Sequence, residues 1–138
     1  MTTIRDTLKN FLTADTTLMA TLTGGVYTAT ELSRQLTPSA FDTALEVKPC
    51  ALLVLEAEDP VGPFYNSARL FMVLYFYERQ GYTAIDTARA RCYALLHRKR
   101  ISAVGMLEMR HVGDVPDQRD ATLNCALGLS RYQITRLR

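Results

Sequence analysis

From Arg69 to Tyr77 the chain reads Arg-Leu-Phe-Met-Val-Leu-Tyr-Phe-Tyr, an almost unbroken apolar and aromatic run. It is too short to cross a bilayer. As a strand of period two it sends Leu70, Met72, Leu74 and Phe76 one way and Phe71, Val73, Tyr75 and Tyr77 the other. Both faces therefore need cover. Just downstream, Tyr82, Ile85, Ala88 or Arg89, Cys92, Leu95 and Leu96 follow the helical period, which predicts a helix over Tyr82–His97. That helix can cover one face. The other needs a different segment of this chain, or another subunit.

The rest of the pattern supplies the neighbours. Thr2 or Thr3 can cap a first helix whose stripe is Ile4, Leu8, Phe11 and Leu12. Asp15 reads as the cap of a second, with Leu18, Met19 and Leu22, and Gly24-Gly25 as its stop. Val26-Tyr27 starts a short extended piece. Residues 28–49 read as an irregular excursion, with a helical turn or two over Ser39–Val47 using Phe41, Ala44 and Leu45. A long loop inside a compact domain is often functional. Cys50 to Ala57 reads as a strand, and Pro60-Val-Gly-Pro63 as the wide turn of a hairpin with the aromatic run.

After the helix, for which Thr83 is the expected cap, Met106–Val112 alternates as a third strand. Gly113–Asp120 reads as a polar turn and Ala121–Thr135 as the last strand. Within it Leu123, Cys125, Leu127 and Leu129 share one parity, while Tyr132 and Ile134 fall on the other. That predicts either a bulge near Ser130-Arg131 or a switch of the packed face. The expected fold is α+β: a four-stranded antiparallel sheet of two hairpins, a long helix between them, and one or two N-terminal helices, in a single domain over residues 1–138.

Charge adds an asymmetry. Residues 1–78 carry 5 basic and 9 acidic side chains, and residues 79–138 carry 11 and 5. Complementary patches of this kind set orientation and partner choice when copies meet. No apolar run is long enough for a membrane span, and the N-terminus lacks a basic-then-apolar signal, so a cytosolic origin and no membrane partner are expected. Cys50, Cys92 and Cys125 lie far apart among apolar neighbours and read as small buried hydrophobes.

Candidate chemistry is sparse. His97 and His111 lack local metal-ligand spacing, so no metal or other cofactor is expected. A Cys92–His111 or Cys125–His97 dyad would have to be assembled by folding. Asp114, Asp117 and Asp120 lack the ligand series of a calcium loop, and Pro116 interrupts them. Gly24-Gly25 has no phosphate-loop context. No catalytic set is expected, and the chain reads as a non-enzyme. Two surfaces carry weight instead. Phe71, Tyr75 and Tyr77 form either core under the N-terminal helices or a subunit interface. Arg98, Lys99 and Arg100, at the end of a basic run that includes Arg89 and Arg91, form either a solvated helix end or a phosphate-facing or carboxylate-facing patch.

Three stretches resemble the tail-terminator or tail-completion (head-tail joining) proteins of long-tailed bacteriophages. Ile4–Tyr27 is similar to that family's helix, aspartate-led second helix and glycine stop before a short strand. Pro49–Leu55 resembles its proline-led strand. Arg69–Arg100 is similar to its central strand and following helix, which ends in leucines and a short polar link. Thr28–Lys48 is longer than the family's pattern. The resemblance implies a virion protein in a ring, usually of six copies, at the head-proximal end of a tail. The ring would end tube growth and offer a joining surface, with tail-tube protein and head-tail connector as partners and DNA passing through without sequence recognition. It implies assembly in the host cytoplasm. Two other readings stay open: a head-side connector or stopper protein of the same fold, and a non-specific nucleic-acid-binding module.

Overall fold

The computed structural model describes residues 3–61, 64–101 and 106–137. Helix α1 (Ile4–Thr13) begins where the Thr3 hydroxyl accepts the Asp6 N–H at 3.1 Å, and α2 (Thr16–Thr21) where the Asp15 carboxylate accepts the Leu18 N–H at 2.8 Å. Side-chain oxygens here satisfy amides that the first turn leaves without partners. The glycine pair then does more than stop α2. The Gly24 N–H donates to the Pro49 carbonyl at 2.7 Å, and a Cβ on Gly24 would lie 2.9 Å from that oxygen. Gly25 holds a φ of +97°, a left-handed value that disfavours side chains.

That close approach brings the short extended piece expected at Val26-Tyr27 into the sheet, a pairing the sequence pattern did not specify. β1 (Gly25–Tyr27) pairs in parallel with β2 (Cys50–Val61), so the sheet is mixed and five-stranded. The remaining four strands are the two expected antiparallel hairpins: β2 with β3 (Phe64–Glu78), and β4 (Met106–Asp120) with β5 (Cys125–Leu137). β3 and β5 join them, antiparallel and in unbroken register from Ser67↔Leu137 to Glu78↔Ala126. The order is β1-β2-β3-β5-β4, with the aromatic run in the central strand.

Helix α3 (Thr83–Leu96) lies between the hairpins as expected, but Thr83 is not its cap. The Glu78 carboxylate, six residues upstream in β3, accepts the N–H groups of Ala84 and Ile85 at 3.0 and 3.3 Å. A negative charge at this end also suits the helix dipole. All three helices share one face of the sheet. Leu8, Leu12, Leu18, Leu22, Ile85, Ala88, Cys92 and Leu96 pack there on Leu70, Met72, Leu74 and Phe76. Each such large side chain contributes about 1.5–3 kcal/mol by leaving water. Arg91 locks α3 to α2 through two bonds to Asp15, at 2.9 and 2.7 Å.

The excursion covers part of the opposite face. Leu32, Ala40, Phe41 and Val47 pack on Cys50, Leu52, Tyr77 and Cys125. The N-terminal helices therefore do not cover the aromatic side of β3, because their apolar stripes are spent on the other one. The helical turns expected over Ser39–Val47 reduce to one 3-10 turn, Pro38–Ala40, and a tight loop closed by a Phe41↔Val47 bridge.

Two further expectations change. Gly113–Asp120 is not a turn but the second half of β4, with register shifts at His111/Gly113 and Val115/Gln118. Bulges let an edge strand absorb Pro116 and surplus polar residues without losing its partner. The turn itself is residues 121–124. β5 has no bulge. Instead the packed side changes along it: Cys125 and Leu127 serve the excursion, while Tyr132 and Ile134 serve the helices. Beneath α3 the strand is trimmed to Ala126, Gly128 and Ser130, and a Cβ on Gly128 would lie 2.6 Å from Ile85 Cγ2.

Candidate assembly surfaces

Strand register arranges the aromatic side of the sheet in rows. Cys50, Tyr77 and Leu127 lie abreast; then Leu52, Tyr75, Leu129 and Val115; then Val54, Val73, Arg131 and Gly113. The excursion roofs the first row. Tyr77 is 7 % exposed, and burial pushes its hydroxyl pKa up. Tyr75 sits at the margin, half-buried in a groove of about 350 Å³ shared with Leu32, Val54 and Leu123. Phe71, past the roof, is half-buried too. The Arg131 guanidinium lies 4.2 Å from its ring centroid, and its Nε is 3.1 Å from Glu56 Oε1. Of the three aromatics picked out by sequence, two thus reach the open part of the face and one lies inside. Val54, Leu129, Arg131 and Glu56 complete that open part. Strand parity could have placed them with Phe71, had the β2–β3 and β3–β5 registers been known.

The basic run divides likewise. Arg91 is bound to Asp15, and Arg89 reaches Asp86 at 2.8 Å and Asp114 at 3.2 Å. Arg98, Lys99 and Arg100 are exposed. Their backbone is held on the outer edge of β4: the Arg98 N–H donates to the Met109 carbonyl at 2.6 Å, and the Met109 N–H to that of Lys99 at 3.0 Å. Arg98 has a φ of +62° at this corner. Lys99 Nζ stands 5.6 Å from the Phe11 ring centroid. Arg131 belongs to the aromatic face instead, Arg136 lies near Glu58 at 3.6 Å, and Arg138 falls outside the described residues.

The two histidines meet between α3 and β4. The His111 N–H donates to His97 Nδ1 at 3.1 Å, and His111 Nε2 lies 2.9 Å from Asp114 Oδ1. The Ser130 hydroxyl donates to the same carboxylate oxygen at 2.6 Å. Tyr93 stacks on His97 and meets His111 edge-on. Serine, histidine and aspartate are all present, but serine and histidine both bond the acid and not each other. The hydroxyl meets a weakly basic carboxylate and not the imidazole that a nucleophilic triad sets against it. The bonds from His111, Ser130 and Arg89 outweigh burial and hold the Asp114 carboxyl below its usual range.

Neither cysteine dyad forms. Cys92 is in the helix-side core and Cys125 under the excursion, where burial pushes their thiols up to about 12 and about 11. Asp120 is spent on the Leu123 N–H at 2.9 Å. Among the described residues no three histidine, cysteine or acidic side chains gather as a metal site, and no helix is long and apolar enough to cross a membrane.

What the geometry defines is a small α+β domain with a mixed five-stranded sheet, sealed by helices on one face and half-roofed on the other. No family model matches the chain, and no curated protein matches it. A solved structure does share its fold: a chain of the "Virion of native gene transfer agent (GTA) particle". That chain is 16 % identical with a TM-score of 0.66, over 94 % of this chain and 90 % of that one. At this identity the likeness establishes the fold.

Proposed function

We propose that this chain is a structural protein of a phage-type particle that closes into a ring, usually of six copies, at the head-proximal end of a tail. There it would end growth of the tube and offer the surface to which the head connector joins. The observation that carries the reading is the fold shared along nearly the whole chain with a component of a virion. Phe71 and Tyr75 lie on the open part of the aromatic face and make the subunit contact, with Tyr77 supporting it from beneath the roof. A closed ring needs two different patches on each copy. Arg98, Lys99 and Arg100, fixed on the edge of β4, face tail-tube protein, connector or the DNA in the lumen. The work is mechanical, and no reaction is assigned to the chain.

Negative-stain images and native mass spectra, taken with and without tail-tube protein, test this. Rings should appear at least in the presence of the tube, and Phe71→Ser with Tyr75→Ser should abolish them while leaving a folded monomer. Monomers under both conditions would overturn the ring. Capping of tube ends separates a tail terminator from a head-side connector, which would bind the head instead. The exposed basic corner supports one further reading, a nucleic-acid-binding module. It requires salt-sensitive binding of free DNA by the isolated chain, lost in Arg98→Ala with Lys99→Ala.

A further inference from the structure

A recess of about 430 Å³ lies where the excursion meets the residues after β3 and the β4–β5 turn, lined in part by Arg34, Arg79, Arg119, Glu46, Leu45 and Leu123. It holds three guanidinium groups and one carboxylate. Arg34 gives its Nε and Nη2 hydrogens to the Leu45 carbonyl, at 3.0 and 2.6 Å, and lies 5.1 Å from the Phe41 ring centroid. Arg119 bonds the Asn124 side-chain oxygen. Only Arg79 meets an acid, Glu46 at 2.5 Å. Asp42, close by in the same loop, is occupied by the N–H groups of Ala44 and Glu46. Arg34 and Arg119 are thus oriented by neutral oxygens and keep donors to spare, since a guanidinium carries five. Beside them Leu45 is 59 % exposed, at a φ of +63° that a leucine rarely adopts. An apolar side chain displayed in a strained turn next to unneutralised arginines is a binding feature more than a packing one.

We propose that this recess docks an acidic segment of a partner protein, with carboxylates on Arg34 and Arg119 and an apolar side chain against Leu45 and Leu123. Arginine favours planar carboxylates through paired hydrogen bonds. The Glu46–Arg79 pair already places one carboxylate on a guanidinium in this recess, through a single N···O contact. A nucleic-acid backbone fits less well, because its sugars and phosphates offer nothing apolar to set against Leu45 and Leu123. The inference goes beyond the ring reading and does not rest on it.

Fluorescence polarisation with the full chain tests it, using a labelled peptide of alternating glutamate and leucine, its glutamine counterpart, and a labelled DNA duplex. The glutamate peptide should bind at low salt, and the glutamine peptide about tenfold more weakly. Arg119→Gln, at an exposed position of the edge strand, should weaken the glutamate peptide about tenfold. Arg34→Gln gives the same reading should the Arg119 variant lose its circular dichroism. Glu46→Gln should strengthen binding about threefold by releasing Arg79, and Arg110→Gln, at an exposed position outside the recess, should leave it unchanged. Absence of peptide binding, equal binding of the two peptides, or a duplex whose affinity alone falls with Arg119→Gln would each overturn the proposal.

Discussion

Leu70, Met72, Leu74 and Phe76 leave one side of β3 and disappear under three helices; Phe71, Val73, Tyr75 and Tyr77 leave the other and meet a loop that reaches only part of the way. The two faces come from one strand and are equally apolar, yet they are finished differently. The helical face is closed by side chains that interdigitate: β5 is cut back to glycine beneath Ile85, and Arg91 is clamped on Asp15. The aromatic face is closed by residues 28–49 at one end and left with half-buried Phe71, Tyr75 and Leu129 at the other. An apolar face that a chain covers only partly is where a second molecule gains most by covering the rest.

The sharpest way to break this contrast is to remove one aromatic from each side. Phe76→Ala should cost about 3–5 kcal/mol in urea unfolding, as full core truncations do. Phe71→Ala should cost about 1 kcal/mol or less, because its ring is only half-buried. Equal losses would mean that the faces do not differ. Gly128→Val comes next. Its side chain would collide with Ile85, and the loss should be about 1–3 kcal/mol, typical of overpacking.

Phe41→Ala probes the roof alone. It should open the aromatic face locally, so that a thiol reagent labels Cys50 and Cys125 about tenfold faster while Cys92, under the helices, is unaffected. Uniform acceleration at all three would show instead that the roof and the helical core open together.

The smallest effect is electrostatic and belongs to the helical face. Its bond to Arg91 lowers the Asp15 carboxyl to about 2. The unfolded chain, with an ordinary aspartate near ~3.9, then binds the proton first. The stabilisation is complete above about pH 4 and disappears as the pH falls towards 2. Asp15→Asn keeps an oxygen for the Leu18 cap and removes the charge. It should lower the melting temperature modestly at pH 6 and converge with the parent protein near pH 2.

Much of this was legible beforehand. The alternation in 69–77 gave the strand and the membership of its faces, the period of Ile85, Cys92 and Leu96 gave the helix, Asp15 announced the second N-terminal cap, and the first was narrowed to Thr2 or Thr3. Gly113–Asp120 misled because its proline, glycine and charges are turn chemistry, and only pairing with β5 makes them a bulged edge strand. The open aromatic patch was half legible, through Phe71 and Tyr75. Arg131 and Glu56 could not be joined to them without the register, and the recess of Arg34, Arg79 and Arg119 draws on three distant segments.

By itself, then, the order of residues determined local geometry: which stretches are helix or strand, and which side chains leave a strand together. Both depend on backbone periods and on neighbours within a few positions. Only the tertiary structure decided that all three helices share one face, that the excursion roofs the other, and that β1 joins in parallel. A period of two makes two faces but says nothing about what covers them. That choice depends on the volume, charge and reach of segments tens of residues away, which meet only when the whole chain has closed.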